Sequence, residues 1–323
     1  MRRMRTPALC AALLAGVFLS SAGPAPAAGP EVAVSIAPIH SLVAGVMTGL
    51  GEPVLIVKGG ASPHYYALRP SDAQALDRAD IVFWVGPSME SFLIKPLASL
   101  AGGAKTIALL EQASILRRAT RDGGAWEEHR DPDDGGEDAM ASGEGVDGHD
   151  ETNPHIWLDP ENARRIVRIA VEALSAADPE NAAGYTANGD MMETRLDKLE
   201  AEIAALLDPV AEVPYVVFHD AYRYFEDRFG TLAIGSIAVS DGRKPGARRL
   251  KEIRAKIAEL DARCVFAEPQ FEPALIRTVI EGTGARAGVL DPLGADLPPG
   301  PDAYFDLMRN LARALRECLG QPN

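Results

Sequence analysis

Of the six histidines in this 323-residue chain, three stand at the ends of apolar or turn-rich segments: His64 in GASPHYYALRPSD, His155 in NPHIWLDP and His219 in YVVFHDAYRYFE. Neutral imidazole is the commonest protein ligand for zinc, and three imidazoles far apart in sequence are what one site between folded units would need. Taken singly, each is an ordinary core or surface histidine. As a set they describe a metal site, and the donor type selects among metals. Imidazole suits zinc, whereas manganese prefers harder, carboxylate-rich sites of higher coordination number. Affinity order alone would also admit copper or nickel.

The elements that must position these residues alternate. Short apolar runs bounded by Gly, Pro or charge predict strands over 32–37, 54–57, 81–85 and 106–110. Helical patterns lie between them, for example 71–78, with Ser71 as N-cap and Asp72 in the first turn. After the WLDP turn the spacing of Ile166, Ile169, Ala170 and Leu174 predicts an amphipathic helix. Asp178 and Pro179 then signal a new helix running to Leu207, about 29 residues and roughly 43 Å at 1.5 Å per residue. Gly184 and Gly189 alone weaken it. Four further strands are predicted at 215–218, 232–238, 264–268 and 287–290, with helices in the gaps at 221–229, 246–260, 273–281 and 301–319. The expected fold is therefore α/β: two similar lobes with mainly parallel four-stranded sheets flanked by helices, joined by one long rigid helix. The corresponding units are 29–177, a linking helix at 178–207, and 208–323. Ligands of open α/β sheets bind beyond the carboxyl ends of the strands, and His219 follows its strand directly.

Residues 1–28 carry Arg2, Arg3 and Arg5, an apolar stretch too short to span a bilayer, and an Ala25-Pro26-Ala27 cleavage pattern, which predicts a secretory signal peptide and an exported, soluble product. Removing that peptide takes the formal net charge from −14 to −17. So acidic a chain, with no basic stripe, makes nucleic acid and anionic membrane poor partners. Two cysteines then remain, Cys264 and Cys318, an even number in an exported protein. That number favours a disulfide over two buried thiols. Residues 121–150 hold eleven acidic side chains, His129, His149 and almost nothing to bury. They are expected to form a mobile acidic loop with at most a weak capacity to gather cations.

The segments GASPHYYALRPSD, FWVGPSMESF, NPHIWLDP, VFHDAYRYFE, CVFAEPQF and LDPLG resemble the motifs of ZnuA-type proteins, the periplasmic zinc-binding components of high-affinity zinc ABC transporters. The resemblance covers nearly the whole mature chain. It implies zinc held between two α/β lobes, with His64, His155 and His219 at the positions of the three histidine ligands. Asp291 in LDPLG matches a position that supplies a carboxylate ligand in manganese-binding relatives, so the fourth position falls to Asp291 or to water. It also implies a disulfide between Cys264 and Cys318, zinc as the transported ion, and an ABC permease as the partner onto which a soluble monomer docks in the periplasm. Two departures stand out. Pro63 occupies the position where some relatives place a further glutamate ligand. The insertion, strongly His-rich in many relatives, keeps only His129 and His149.

Each liganding imidazole needs a partner for its other nitrogen. Asp159, Asp220, Glu268 and Arg69 lie near the histidines or at strand ends, and His40 follows the first strand. For Asp159 and Asp220, capping the next helix is an equal expectation. Tyr65, Tyr66, Trp84, Trp157, Tyr222 and Tyr224 could wall the cleft or pack the core. The functional expectation is a non-enzymatic carrier that captures zinc and delivers it to a permease. A manganese carrier of the same family is the alternative, and a secreted zinc hydrolase the rival of another class, although no HExxH signature is present.

Overall fold

The computed structural model describes residues 29–121, 126, 152–238, 246–271 and 274–321. The expected signal peptide, and His129 and His149 of the acidic insertion, lie outside the described residues.

Two four-stranded parallel sheets organise the chain. The first contains β1 (Val32–Val34), β2 (Val54–Leu55), β3 (Ile81–Trp84) and β4 (Lys105–Ala108) in the order β2-β1-β3-β4. The second contains β5 (Pro214–Val217), β6 (Leu232–Ser236), β7 (Cys264–Ala267) and β8 (Arg286–Val289) in the order β6-β5-β7-β8. Every residue of β1 and β3 is buried. Such continuous apolar runs are the mark of central parallel strands covered on both faces, where an alternating pattern would expose one face to water. In each sheet the chain steps from the first strand to one side and then returns to the other, so a crevice opens beyond the carboxyl ends of the first and third strands.

The helices are α1 (Ala37–Val46), α2 (Pro70–Arg78), α3 (Ile94–Ser99), α4 (Pro160–Ala177), α5 (Ala182–Leu207), α6 (Arg223–Phe229), α7 (Ala247–Glu259), α8 (Ala274–Ile280) and α9 (Ala303–Leu319). Several boundaries differ from the sequence expectation. The first strand stops at Val34, because Pro38 sits in the first turn of α1 and its fixed φ suits a helix. Ser71 does not cap α2. Pro70 takes the first helical position, and the Asp72 carboxylate accepts the backbone N–H of Arg69 at 2.9 Å. The long helix is preceded by a separate 3-10 turn at Pro179–Asn181, which shortens it to 26 residues.

Helix α5 buries one stripe, Tyr185, Gly189, Met192, Leu196, Leu199, Ile203 and Leu207, spaced three and four apart. It lies against α4, α1 and α9, so it is a packed core element rather than a free strut. Gly189 explains its own presence: a Cβ there would meet Val171 Cγ2 of α4 at 2.6 Å. Helix α9 belongs to the second half of the sequence yet packs on α1 and α5, and the Tyr304 N–H donates to Ser41 Oγ at 2.9 Å. One continuous hydrophobic core consequently joins both sheets, and a smaller one underlies α7 and α8. A disulfide links Cys264, the first residue of β7, to Cys318 in the last turn of α9. No described helix is long and apolar enough to cross a membrane.

Candidate metal centre

His64 lies in a 3-10 turn, Pro63–Tyr65, reached from β2 through a Gly-rich loop in which Gly59 adopts φ +67°. His155 immediately precedes the turn Ile156–Leu158. His219 follows β5 by one residue, at the carboxyl end of that strand. Their donor nitrogens all lie within 4.8 Å of one another. His155 and His219 are buried and His64 is half-buried. Ring centroids are 5.0 Å apart for His155 and His219, 5.6 Å for His64 and His155, and 6.1 Å for His64 and His219.

The second-nitrogen partners decide what this cluster is able to do. The Nδ1 of His219 lies 2.7 Å from Glu268 Oε1, and Glu268 follows β7, the neighbour of β5 across the crevice. The Nδ1 of His155 lies 2.9 Å from Asn153 Oδ1. That oxygen also accepts the backbone N–H of His155 at 3.0 Å, while Asn153 Nδ2 donates to the carbonyl of Asp220 at 2.5 Å, so the orientation of the amide is fixed. In the neutral rings both Nδ1 atoms are thus donors, and both Nε2 atoms present lone pairs. These two Nε2 atoms face each other at 3.1 Å. Lone pairs at that separation repel unless a cation or proton lies between them. Two zinc–nitrogen bonds of 2.0–2.1 Å at a tetrahedral angle would place them about 3.3 Å apart.

The cavity at this point has a volume of about 10 Å³ and is lined by Pro63, the three histidines, Trp157 and Glu268, among others. It has room for one ion-sized or water-sized occupant. The Oε2 atom of Glu268 and the hydroxyl of Tyr222 are both buried. Burial pushes the Tyr222 hydroxyl well above the ordinary tyrosine value, with the charges of Glu268 and Asp291 adding to the rise.

The remaining sequence candidates are placed elsewhere. Asp291 is not among the clustered donors: its carboxylate accepts the backbone N–H groups of Leu293, Gly294 and Ala295 and the side chain of Gln270, which organises the LDPLG turn. Trp157 Nε1 donates to the Pro292 carbonyl at 2.8 Å and ties that turn to the His155 segment. Asp159 caps α4 through the Glu161 N–H and pairs with Arg228. Asp220 pairs with Arg121. Arg69 is exposed over Tyr66. His40 is buried, with Nε2 2.9 Å from the Pro53 carbonyl, and desolvation lowers its pKa despite that carbonyl. Of the five side chains expected to orient ligands, Glu268 meets a ring of the cluster, that of His219. Asn153 was missed, although an Asn two residues before His155 is the spacing at which its side chain reaches a backbone N–H. Phe271 was also missed; it stacks on Phe218 at 4.1 Å and approaches the His219 ring. Among the aromatics, Trp157 packs fully buried beside His155, whereas Tyr65 is exposed.

A family model described as the periplasmic component A of a zinc-uptake complex matches residues 32–318. The chain belongs to the ZnuA family. Relatives in that family include a high-affinity zinc uptake system protein ZnuA of Brucella suis biovar 1, 46% identical with 99% of this chain and 100% of the relative covered. A protein of the same name from Yersinia pestis is 38% identical over 95% of this chain and 96% of its own length. Among solved structures, a ZnuA crystal structure superimposes with a TM-score of 0.72 at 24% identity, covering 90% of this chain and 99% of that one. A zinc-bound ZnuA deletion mutant gives 0.73 at 24% identity over 91% and 100% of the two chains. These structural likenesses establish the ZnuA-type fold. The site itself rests on the geometry above.

Proposed function

We propose that this ZnuA-family chain is an exported zinc-binding protein that captures one zinc ion between its two sheets and hands it to an ABC permease. The observation that carries the reading is the pair of Nε2 atoms of His155 and His219, facing each other at 3.1 Å while Asn153 and Glu268 occupy the opposite nitrogens. Such a site is built for a cation. His64 supplies the third imidazole, and an all-imidazole set favours zinc over manganese. The backbone amides of the LDPLG turn hold Asp291, which supports water rather than this carboxylate at the fourth position. The names of the relatives support zinc as cargo, and the expected signal peptide at 1–28 supports export to the periplasm. The protein works by binding and release rather than by catalysis, a reading supported by its membership of a family described as a component of zinc uptake.

Calorimetric titration of the metal-free protein with zinc and with manganese tests this. One zinc per chain should bind, more tightly than manganese, and His64→Ala, His155→Ala or His219→Ala should abolish tight binding while the circular dichroism spectrum is kept. Tighter manganese binding, or unaltered zinc affinity in the histidine variants, would refute it.

A further inference from the structure

Where the acidic insertion begins, the chain makes a second set of contacts across the molecule, and these include Arg121 and Trp126 of the insertion itself. Residue 119 forms an isolated antiparallel bridge with Thr152, and the Asn153 N–H donates to the Arg118 carbonyl at 2.8 Å. This paired segment is seated on the loop and helix that follow β5. The Tyr224 hydroxyl accepts the Arg118 N–H at 3.0 Å and donates to the Asn153 carbonyl at 2.8 Å. Arg121 closes the contact. Its backbone N–H and Nε donate to the two carboxylate oxygens of Asp220, each at 2.9 Å, and its terminal nitrogens bridge Asp220 to Glu226, reaching the latter at 2.6 and 2.8 Å. The Trp126 ring covers the guanidinium, its centroid 3.4 Å from Cζ.

Asp220 and Glu226 are only 7% and 6% exposed, so one cation compensates two buried carboxylates. The geometry leads directly to the histidines. Asp220 is covalently next to His219, and its carbonyl accepts from the same Asn153 amide whose oxygen holds His155 Nδ1. We propose that Arg121 is a positioning residue for the three-histidine site, clamping the segment that carries Asn153 and His155 onto the segment that carries His219 and thereby setting their spacing. The guanidinium fork is what allows it: two carboxylates and a planar stacking face are beyond the reach of a single ammonium. A purely structural Arg121 would neutralise the two acids without any effect on the metal.

This role rests on the reading of the three histidines as a zinc site, and the test separates the two. Zinc affinity and release rate are measured on the full chain by competition with a chromophoric chelator, after circular dichroism has established folding. Arg121→Gln should weaken zinc binding about tenfold to a hundredfold, the range typical of residues that orient metal ligands, chiefly through faster release. Arg121→Lys should fall between Arg121→Gln and the wild type. The loss should largely disappear in an Asn153→Ala background and persist in a Glu268→Gln background, because the clamp acts through the segment that carries Asn153, while Glu268 holds His219 from the other side. If Arg121→Gln fails to fold, Arg121→Gln with Glu226→Gln relieves the buried charge and carries the same expectation. Affinity within twofold of wild type in a folded variant, or a loss of equal size with and without the Asn153 side chain, overturns the positioning role while leaving the site intact. A wild-type chain that binds no zinc overturns the site and the clamp together.

Discussion

Two residues beside strand ends show how one carboxylate chemistry serves different ends. Glu268, at the crevice of the second sheet, accepts from His219 Nδ1 and so turns the Nε2 lone pair toward the cavity. Glu268→Gln should lower zinc affinity by roughly tenfold to a hundredfold. Asp291→Asn should instead lower thermal stability with a smaller effect on zinc, since its oxygens hold a turn. A competition titration alongside a thermal melt separates the two outcomes. At the equivalent crevice of the first sheet stands Glu90, fully buried, accepting from Ser35 Oγ and the N–H groups of Val85 and Gly86. Burial pushes its carboxyl up to about 7, against the opposing pull of those donors. A carboxyl whose pKa is raised on folding contributes stability that is fully present below its unfolded value near 4.5 and is lost as pH rises through about 7. Over that window the loss is about 3 kcal/mol. Urea unfolding of the metal-free protein from pH 4.5 to 7.5 should show this slope, and Glu90→Gln should flatten it.

At the scale of elements, the central parallel strands were readable because both of their faces are buried and their runs are unbroken. Helix ends were less so. Pro38 and Pro70 mark the first turns of α1 and α2 more strongly than the neighbouring apolar run or Ser71 marks its own boundary, because proline's ring presets the helical φ. The glycines of α5 read as weaknesses in the sequence and prove to be contact points. Gly189 sits where α4 passes too close for a Cβ, so Gly189→Val should destabilise by about 1–3 kcal/mol, despite valine's better helix propensity. Equilibrium denaturation provides the measurement. A gain in stability would mean that α4 moves freely away from α5.

At the scale of the whole molecule, the two sheets share one core through α1, α4, α5 and α9, and the histidines come from segments on both sides of it. An ion bound there links the two halves in the folded state and finds no comparable site in the unfolded chain. Free zinc at 100 times its Kd should therefore raise unfolding stability by about 2.7 kcal/mol, seen as a concentration-dependent rise in Tm. Manganese at the same concentration should give a smaller rise. The disulfide reinforces this union from the far end, since it fastens β7, which leads into Glu268, to the helix that returns to α1.

The strand pattern and the long helix determined the α/β class and the duplicated sheets, because each is written in local composition and periodicity, and the motifs singled out the three histidines that the fold brings together. The pairing of Cys264 with Cys318 was likewise legible, since outside the expected signal peptide these are the two cysteines left to pair. Only the tertiary structure decided which polar neighbours serve the histidines. Asn153, Glu268 and Arg121 come from separate stretches of chain, and nothing in the spacing of Asp159, Asp220, Arg69 or His40 distinguishes a ligand's partner from a helix cap, an ion pair or a buried ring on a carbonyl. Sequence brings residues to strand ends, but which side chains meet across a crevice is set by the packing of α4, α5 and α9. That packing leaves two imidazole lone pairs face to face and holds Asp291 in a turn.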